Sequence, residues 1–574
     1  MEQAQRAGPL PGGSGRRRSP WFPKGRQLDP QALARVEALL GERSRERALL
    51  IEHLHLLQDT FGCLRAAELQ ALAELMRLSM AEVYEVATFY AHFDVLTDDN
   101  ATVALVTVRV CDSISCMLAG AESLLAELPA GLGPEVRVVR APCVGRCAAA
   151  PACLVGRRAV EHADLARVRA VVASGDPAPE LPSYPDLPAY RAAGGYRLLD
   201  WLRADGPEVV AADDRGELDL LASLNSSGLR GMGGAGFPTG RKWDLVRSRP
   251  KPRYLCVNAD ESEPGTFKDR HYLETDPHRF LEGMLLAAWS IGAERAFVYL
   301  RDEYAHLHVT LAREIAALEQ AKLARPGYLM LRRGAGAYIC GEESAMIESL
   351  EGQRGYPRLR PPYVAEVGLF GRPTLVNNVE TLFWIRDIVE KGPDWYAAQG
   401  RNGGKGLRGF SVSGRVKEPG VKIAPAGITA RELIDEFSGG MAPGHHFKAY
   451  LPGGASGGIL PESLADIPLD FGKLEEHGAF VGSHAVIVLS DRDDLKAVVR
   501  NLLRFFEDES CGQCTPCRSG TEKAVVELDR AAWDEERLDD LCRLMADASI
   551  CGLGQAAPNP IRTALRYFRD ECLA

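Results

Sequence analysis

Apolar residues recur at helical spacing through the first part of the chain. The clearest positions are Leu49, Leu50, Ile51, Leu54 and Leu57, followed by Leu69, Leu72, Leu75 and Met76. This spacing predicts a small helical bundle over residues 35–98. Within it, Ser79 precedes a helical stretch that begins near Met80, and Glu82 stands where a capping box requires a glutamate, so we expect a helix to begin there.

Strand-like runs appear farther along. Residues 102–110 are rich in β-branched side chains, and a second such run, Val136–Val139, follows a helix-like stretch. This pattern predicts a compact α/β domain over residues 99–175. Over 226–405, short apolar runs alternate with helices and glycine-rich loops, which is typical of an α/β nucleotide-binding domain.

The remaining segments differ in composition. Residues 1–34 form a basic arm that we expect to be flexible, and the proline-rich stretch 176–225 reads as a linker or a wrapping segment. Residues 406–492 combine strand-like runs with many glycines and predict a small β-dominated domain. Residues 493–574 return to helical spacing.

Length and charge exclude several functions. A chain of 574 residues predicts several domains. A net charge of -10, with no basic block in the body of the chain, argues against a general nucleic-acid binder. No apolar run is long enough to predict a membrane-spanning helix. Arg16, Arg17 and Arg18 suggest a twin-arginine export signal, but no apolar stretch follows them, so we expect a cytoplasmic protein.

The cysteines indicate metal sites. The chain has 14 of them, and a large chain with no export signal favours metal binding over disulfides. Near the C-terminus, Cys511, Cys514 and Cys517 recur at two-residue intervals and Cys551 follows, a set that suits a 4Fe–4S cluster. Glycines beside two of these cysteines permit a tight turn around a bulky cluster.

A second set lies in the predicted α/β domain. Cys111 and Cys116 are separated by four residues, and Cys143 and Cys147 by three. Two loops that each supply two thiolates suit a 2Fe–2S cluster, and zinc is the competing interpretation for both sets. Core or surface thiols are expected at Cys63, Cys153, Cys256, Cys340, Cys542 and Cys572. We also expect His53, His55 and His92 to be ordinary polar residues rather than metal ligands.

Glycine and polar motifs predict a nucleotide site. Residues 228–240 form a dense glycine loop, which lets the backbone approach a phosphate, and Arg241 and Lys242 add positive charge after it. Three carboxylates follow a predicted strand in N-A-D-E-S-E, at 258–263. They can accept hydrogen bonds from ribose hydroxyls or from a ring N–H, or they form a solvated acidic turn.

Two further segments carry the same ambiguity. G-A-G-A-Y-I-C-G-E-E-S, at 334–344, can line a nucleotide cavity or begin a helix that its acidic residues stabilise. N-N-V-E-T, at 377–381, can bind a phosphate or a flavin, or form a turn. Four such signals beside two cysteine sets are difficult to explain by structure alone.

Together these motifs resemble a known family. The glycine loop, N-A-D-E-S-E-P-G-T-F-K-D, the segments at 334–344 and 377–381, and E-S-C-G-Q-C-T-P-C-R-S-G resemble the NADH-binding flavoprotein subunit of respiratory complex I. The part with T-F-Y-A-H-F and the first cysteine set resembles its 2Fe–2S partner subunit, so the two are fused here. The resemblance implies a multidomain α/β fold: a helical bundle plus a thioredoxin-like 2Fe–2S domain, a Rossmann-like FMN domain, a ubiquitin-like β-grasp domain and a C-terminal four-helix 4Fe–4S domain.

The resemblance also implies residue roles. Hydride transfer between nicotinamide and FMN would be followed by one-electron steps through the clusters, with NAD(H) as the substrate. Residues implied to bind FMN are Gly231, Gly233, Gly234, Lys242, Asn258, Asp260, Asn377, Asn378 and Thr381. Residues implied to shape the catalytic flavin–nicotinamide cavity are Glu263, Tyr338, Gly341, Glu342 and Glu343, with Glu343 near a ribose.

Among such fusions, the chain looks most like the β subunit of NAD-dependent formate dehydrogenases that contain tungsten or molybdenum. R-G-F-S-V-S-G-R-V-K-E-P-G-V-K and L-P-G-G-A-S-G-G-I-L-P carry this likeness. The chain also keeps all four N-terminal cysteines, whereas fused hydrogenase diaphorase chains tend to lack a complete set. The implied partner is a large pterin-metal subunit with further iron–sulfur clusters that oxidises formate. A hydrogenase or complex I-like assembly is the alternative, and a zinc scaffold without flavin is a non-enzymatic one.

The chain departs from the family at four positions. Met232 replaces an arginine of the glycine loop, and Leu245 stands at the usual phenylalanine. Arg360 and Tyr363 replace a lysine and a phenylalanine. The last three positions concern the expected adenine side, so they bear on NAD affinity rather than on hydride transfer. Acidic Glu343 should disfavour a ribose phosphate, which predicts NAD over NADP.

Overall fold

A computed structural model describes residues 26–98, 103–104, 106–204 and 220–573. Most of the predicted basic arm lies outside these residues, as does part of the predicted linker. In the first region, four helices pack around a short parallel strand pair, β1 (Leu64–Arg65) and β2 (Val95–Leu96). The helices are α1 (Pro30–Leu40), α2 (Leu50–Phe61), α3 (Ala66–Met76) and α4 (Met80–Phe89). Ser79 and Glu82 form the expected capping box at the start of α4.

The second region is a four-stranded sheet in the order β4-β3-β5-β6. Its central strand β3 pairs with β4 in parallel and with β5 in antiparallel orientation. The α5 and α6 helices connect the parallel pair. The elements are β3 (Val106–Cys111), α5 (Ile114–Leu118), α6 (Ala121–Leu132), β4 (Val136–Ala141), β5 (Cys153–Val155), β6 (Arg158–Val160) and α7 (Leu165–Ser174).

Short helices α8 (Leu187–Ala192) and α9 (Arg197–Ala204) lead towards the third region, whose four parallel strands run in the order β10-β7-β8-β9. The helices cover a sheet whose residues are mostly buried, as a parallel sheet requires. The elements are α10 (Leu220–Ser227), α11 (Thr239–Arg247), β7 (Arg253–Ala259), α12 (Lys268–Thr275), α13 (Pro277–Ser290), β8 (Ala293–Leu300), α14 (Ala305–Gln320), β9 (Leu329–Arg333), α15 (Glu343–Leu350), β10 (Thr374–Asn378), α16 (Val379–Phe383), α17 (Ile385–Lys391) and α18 (Pro393–Ala397).

The fourth region is a mixed five-stranded sheet in the order β12-β11-β15-β13-β14. Strand β11 forms a hairpin with β12 and pairs in parallel with β15, which is the arrangement expected of a β-grasp domain. Its core is a separate apolar cluster that includes Phe410 and Tyr450. The elements are β11 (Leu407–Gly414), β12 (Gly420–Pro425), α19 (Ala430–Glu432), β13 (Phe447–Leu451), β14 (Leu460–Pro461) and β15 (Ala485–Ser490).

The last region is helical. Four longer helices and two short ones pack together, and their buried apolar residues belong to the same cluster as those of the N-terminal bundle. The helices are α20 (Leu495–Asp508), α21 (Thr515–Leu528), α22 (Glu535–Ala548), α23 (Gly552–Ala556), α24 (Asn559–Tyr567) and α25 (Arg569–Leu573). The predicted multidomain α/β fold class is confirmed.

Ion pairs join the N-terminal bundle to the parallel sheet. Arg332 and Arg333 end strand β9, and their side chains are only 6% and 9% exposed. Arg332 donates to Glu52 of α2 at 2.9 Å, and Arg333 donates to Asp59 of the same helix at 2.6 Å. The first region therefore supplies the counter-charge of buried Arg332, and it shares that of Arg333 with Asp302 of the third region.

Candidate functional site

The glycine loop between α10 and α11 turns back on itself. The backbone N–H of Gly231 donates to the carbonyl of Phe237 at 2.8 Å, which closes the loop. A Cβ atom added to Gly233 would lie 3.3 Å from the Cβ of Asn378, and Gly234 has a φ of +116°, in the region that favours glycine. The loop therefore approaches the end of β10 more closely than a side chain comfortably allows.

Other predicted residues fix this loop to the strand ends. Thr381 accepts a hydrogen bond from the N–H of Met232 at 2.9 Å, although Met232 replaces the family arginine. Asn377 accepts one from the indole of Trp243 at 2.8 Å. Asn378 caps α16 through the N–H of Glu380. One short motif therefore supplies three contacts to this part of the fold. Thr381 and Asn378 lie against the glycine loop, and Asn377 contacts the helix that follows it.

The acidic loop follows β7, next to β10 in the sheet. Asn258 lies opposite Asn378 in the strand register, so both lie at the carboxyl ends of parallel strands, where ligands bind in such sheets. The Asn258 amide donates to the carbonyl of Gly341 at 2.7 Å and its oxygen accepts from the N–H of Asp260 at 3.1 Å. Burial raises the pKa of Asp260 to about 7.

A cluster of charges lies beside this edge. Glu343 begins α15 and pairs with Lys242 at 3.2 Å and with Arg360 at 3.3 Å. Glu342 is the N-cap of the same helix, accepts from the N–H groups of Ser344 and Ala345, and also pairs with Arg360. The segment therefore begins a helix whose N-terminus its glutamates stabilise, and Glu343 also faces Lys242 of α11.

Tyr338 connects the acidic loop region to the C-terminal helices. Its ring packs on Phe505 of α20 at a centroid distance of 4.9 Å. Its backbone N–H donates to Glu509 at 2.8 Å, and burial raises the pKa of Glu509 to about 7. Glu263, also predicted, accepts a hydrogen bond from the N–H of Ser456 in the β-grasp region at 2.9 Å. Sequence reasoning missed Glu509 and Ser456, since only tertiary structure brings them here.

Lys268 is a further residue that sequence reasoning missed. Its side chain is 1% exposed, and its ammonium contacts Asp269 at 2.8 Å, Glu380 at 3.0 Å and Asn378 at 3.4 Å. Burial opposes its charge, but the neighbouring carboxylates hold its pKa above the ordinary value. The signal that could have found it is its place in T-F-K-D, directly after the acidic loop.

These residues fit a flavin phosphate and ring. At Gly233 the loop comes so close to Asn378 that an added Cβ atom would lie 3.3 Å from the Cβ of Asn378. One carboxylate oxygen of Asp260 is buried and has no hydrogen-bond partner among the described residues. Such an atom is costly unless a ligand satisfies it.

The first cysteine set gathers in one buried place. Cys111 ends β3, Cys116 lies in α5, and Cys143 and Cys147 lie in the loop after β4; all four are buried. The sulfurs of Cys143 and Cys147 are 3.3 Å apart. Hydrogen bonds among the thiols lower the pKa of Cys143 and raise the pKa of Cys111 and of Cys147, so these side chains interact directly. A bound metal would hold all four as thiolates, the form that binds metal. Four clustered thiols fit a 2Fe–2S group.

The C-terminal set also converges. Cys514 and Cys551 are the N-caps of α21 and α23, so the N-termini of two helices surround the place where the cysteines meet. A Cβ atom added to Gly554 would lie 2.8 Å from the Cβ of Cys517, so only glycine lets α23 approach so closely. Burial raises the pKa of Cys517 to about 12 and that of Cys551 to about 11, so a bound metal ion is what would hold them as thiolates.

The remaining cysteines are buried, and two of the histidines lie beside a carboxylate. Cys63, Cys153, Cys256, Cys340, Cys542 and Cys572 are all buried. His55 and His92 lie near Asp302, in a group whose ligand atoms are within 4.8 Å of one another. His92 pairs with Asp302 at 2.6 Å, and Arg333 also pairs with this carboxylate. A guanidinium at the same carboxylate argues for an ion-pair network. Among the described residues, no helix is both long and apolar enough to cross a membrane.

Three family matches cover most of the chain. Residues 36–175 match the thioredoxin-like [2Fe-2S] ferredoxin family, residues 224–387 match the Nuo51 FMN-binding domain, and residues 497–574 match the NADH-ubiquinone oxidoreductase-F iron-sulfur binding region. The predicted cofactor classes, FMN, 2Fe–2S and 4Fe–4S, are thereby confirmed. The zinc interpretation of the two cysteine sets is not supported.

Named relatives agree with these matches. The F 2 subunit of the NADH-quinone oxidoreductase of Rhizobium meliloti (strain 1021) is 41% identical over 403 residues, which cover 68% of this chain and 94% of that protein. The F subunit of the Mycobacterium bovis enzyme is 41% identical over 375 residues, 62% of this chain and 84% of that protein. A chain of the NAD+-reducing [NiFe]-hydrogenase in the H2-reduced state has a TM-score of 0.79 and 33% identity, covering 92% of this chain and 93% of that one. The chain belongs to the family of NADH-quinone oxidoreductase F subunits, and it carries a thioredoxin-like [2Fe-2S] domain on its N-terminal side.

Proposed function

We propose that this chain is the NAD(H)-reacting diaphorase subunit of a cytoplasmic, metal-dependent formate dehydrogenase. A separate pterin subunit with tungsten or molybdenum and further iron–sulfur clusters would oxidise formate. The overall reaction would be formate and NAD giving carbon dioxide and NADH, in either direction. The observation that carries the diaphorase role is the convergence of the glycine loop, Asn258, Asp260 and Asn378 at one sheet edge, with two cysteine clusters in the same chain.

The site residues have distinct proposed roles. FMN, when bound, accepts a two-electron hydride from NADH and releases single electrons to iron–sulfur clusters. The glycine loop and Asn378 would hold its phosphate, while Asn258 and the unpartnered oxygen of Asp260 would face polar atoms of the flavin. Because Tyr338 is held by Glu509 of the C-terminal region, the cavity wall is fixed relative to the 4Fe–4S cysteines. No side chain is required to act as general acid or base.

The nicotinamide dinucleotide would bind beside Glu343. Glu343 would accept hydrogen bonds from a ribose, as its carboxylate already accepts one from Lys242. Tyr363 is 56% exposed and Leu245 is 41% exposed, which leaves both side chains available to contact an adenine. We propose NAD over NADP because a carboxylate repels a ribose phosphate. Comparable turnover with NADPH would contradict this.

The assignment to formate dehydrogenase rests on the sequence likeness at 408–422 and 451–461 and on the complete N-terminal cysteine set. The test uses protein purified anaerobically with its natural partners. Formate and NAD are added, and NADH absorbance is followed together with bleaching of the flavin and clusters. NADH formation that depends on formate supports the proposal. Bleaching by NADH with no response to formate keeps the diaphorase role and rejects the formate partner.

A hydrogenase partner is the second candidate. The likeness to a chain of an NAD+-reducing [NiFe]-hydrogenase, over 92% of this chain, favours it. The same preparation exposed to hydrogen and NAD separates the two candidates, because each assembly responds to one electron donor. Identifying the large subunit that purifies with the chain, and its metal, gives an independent answer.

A further inference from the structure

The thioredoxin-like region contacts the acidic loop through one buried arginine. Arg301 follows the last residue of β8 and is 2% exposed. Its guanidinium donates to the carbonyl of Cys143 at 2.5 Å and to the carbonyl of Glu261. One side chain thus holds a residue of the first cysteine set and the middle of the predicted flavin loop at the same time.

A second contact runs parallel to the first. The hydroxyl of Tyr304 donates to the carboxylate of Glu261 at 3.0 Å. Gly145, between Cys143 and Cys147, has a φ of +73°, and a Cβ atom added there would lie 2.3 Å from that hydroxyl. The cysteine loop therefore lies directly on Tyr304, and Arg301 packs over the Tyr304 ring at 5.0 Å. The spacing between the two loops is fixed by closely packed atoms.

Two arginines, Arg301 and Arg146, bring positive charge to the cysteine loop, and they differ in their partners. Among the described residues, the carboxylate in direct contact with the Arg301 guanidinium is that of Glu303, at 3.0 Å, and Glu303 keeps 17% of its side chain exposed. The charge of Arg301 also acts to lower the pKa of the buried carboxyls of Asp260 and Glu509. The guanidinium itself contacts the backbone of Cys143, whereas Arg146 in the loop is paired with Glu161 at 3.0 Å and Glu274 at 3.4 Å. A buried positive charge at contact distance favours added negative charge nearby, whatever other carboxylates it also faces.

We propose that Arg301 is a positioning residue that joins the 2Fe–2S loop to the flavin loop and that its charge raises the reduction potential of the 2Fe–2S cluster. Reduction adds one electron to the cluster, converts one ferric ion to ferrous and adds one negative charge, which the guanidinium stabilises. The inference rests on the proposed ligand set Cys111, Cys116, Cys143 and Cys147. It does not depend on formate as the substrate.

The test is a potentiometric measurement on the anaerobic complex, with dithionite as the electron source and mediator dyes, followed by EPR of each cluster. In R301Q the midpoint potential of the 2Fe–2S signal should fall, and that of the 4Fe–4S signal should stay within error. In E303Q, which removes the offsetting charge, the 2Fe–2S potential should rise. In R301K, which keeps the charge with a shorter reach, the potential should stay nearer the wild type than in R301Q.

A control variant is R313Q, which removes the same charge from a side chain that is 57% exposed on α14, and it should leave both potentials unchanged. FMN content is measured by fluorescence after release from each variant. An R301Q protein with an intact signal at the wild-type potential overturns the proposal. If R301Q fails to assemble, an E303Q potential that does not rise overturns it instead. A wild type whose iron and sulfide content leaves no 2Fe–2S cluster beside the 4Fe–4S cluster would instead refute the ligand set on which the inference rests.

Discussion

Glu343 is flanked by two cations, and this geometry gives a sharp prediction about cofactor choice. Its side chain is 22% exposed and pairs with Lys242 at 3.2 Å and Arg360 at 3.3 Å. In the wild type the carboxylate both repels a ribose phosphate and neutralises the two cations that would attract one. E343Q removes the repulsion and releases the attraction together, so it should raise the use of NADPH relative to NADH.

The magnitude follows from Coulomb's law. Two unit charges at about 4 Å interact by about 1 kcal/mol in water and about 4 kcal/mol at an effective dielectric constant of about 20. A partly exposed carboxylate lies between these limits. A change of about 1–3 kcal/mol corresponds to about a 5- to 150-fold rise in the ratio of kcat/KM for NADPH over NADH.

The assay is dye reduction by NADPH and by NADH at several salt concentrations, with FMN content measured on the same samples. The gain in the ratio should shrink as salt rises, because screening weakens interactions of exposed charges. R360Q should lower the ratio instead. E366Q removes the same charge from a carboxylate paired with Arg249 at 2.7 Å and serves as the control. A ratio in E343Q within twofold of the wild type, with FMN retained, would refute the reasoning.

The cysteine sets and one half-buried glutamate give three further predictions. C143S should abolish the EPR signal of the reduced 2Fe–2S cluster while NADH-driven dye reduction at the flavin largely persists, and loss of dye reduction with FMN still bound would contradict this layout. C551S should remove the 4Fe–4S signal and about four iron and four sulfide ions per chain, with the 2Fe–2S signal retained; zinc in place of iron in the wild type would reject the cluster assignment. Burial opposes the charge of Glu274, but His306 and Arg270 lower its pKa to about 2. The ionised Glu274 side chain should therefore stabilise the fold at pH values above the ordinary glutamate pKa of about 4.5. This stabilisation should be lost as the pH falls towards 2. The wild type should therefore resist urea better than E274Q at pH 6, and the difference should shrink by pH 3; a constant difference would show that the ion pairs are not responsible.

Local sequence predicted the elements and most of the proposed site. The capping box at Ser79 and Glu82 depends only on residues three positions apart, so the sequence predicts it without knowledge of the tertiary structure. The same holds for N-N-V-E-T, whose Asn378 both ends a strand and caps a helix. Short motifs of this kind carry their own geometry.

What could not be predicted depends on partners far apart in sequence. Glu509 reaches the N–H of Tyr338 across 171 residues, and Arg301 reaches the carbonyl of Cys143 across 158 residues. Glu509 stands at the start of the motif that contains Cys511, but nothing in that motif shows that its carboxylate reaches Tyr338, and Arg301 has no motif around it. Lys268 was similarly inconspicuous, because its burial among carboxylates exists only after α12 and α16 pack together.

The ion pairs between β9 and α2 bear on whether the flavin part is an independent unit. If the N-terminal bundle were deleted, Arg332 and Arg333 would lose Glu52 and Asp59. Charged groups that a fold has arranged to bury are tolerated only while their counter-charges remain. Arg333 would keep Asp302 of its own region, whereas Glu52 is the carboxylate partner of Arg332 among the described residues. The strand therefore tolerates the buried charge of Arg332 only in the presence of another domain. The two fused parts therefore share buried ion pairs. A fragment that begins after the N-terminal bundle would separate buried arginine charge from its counter-charge.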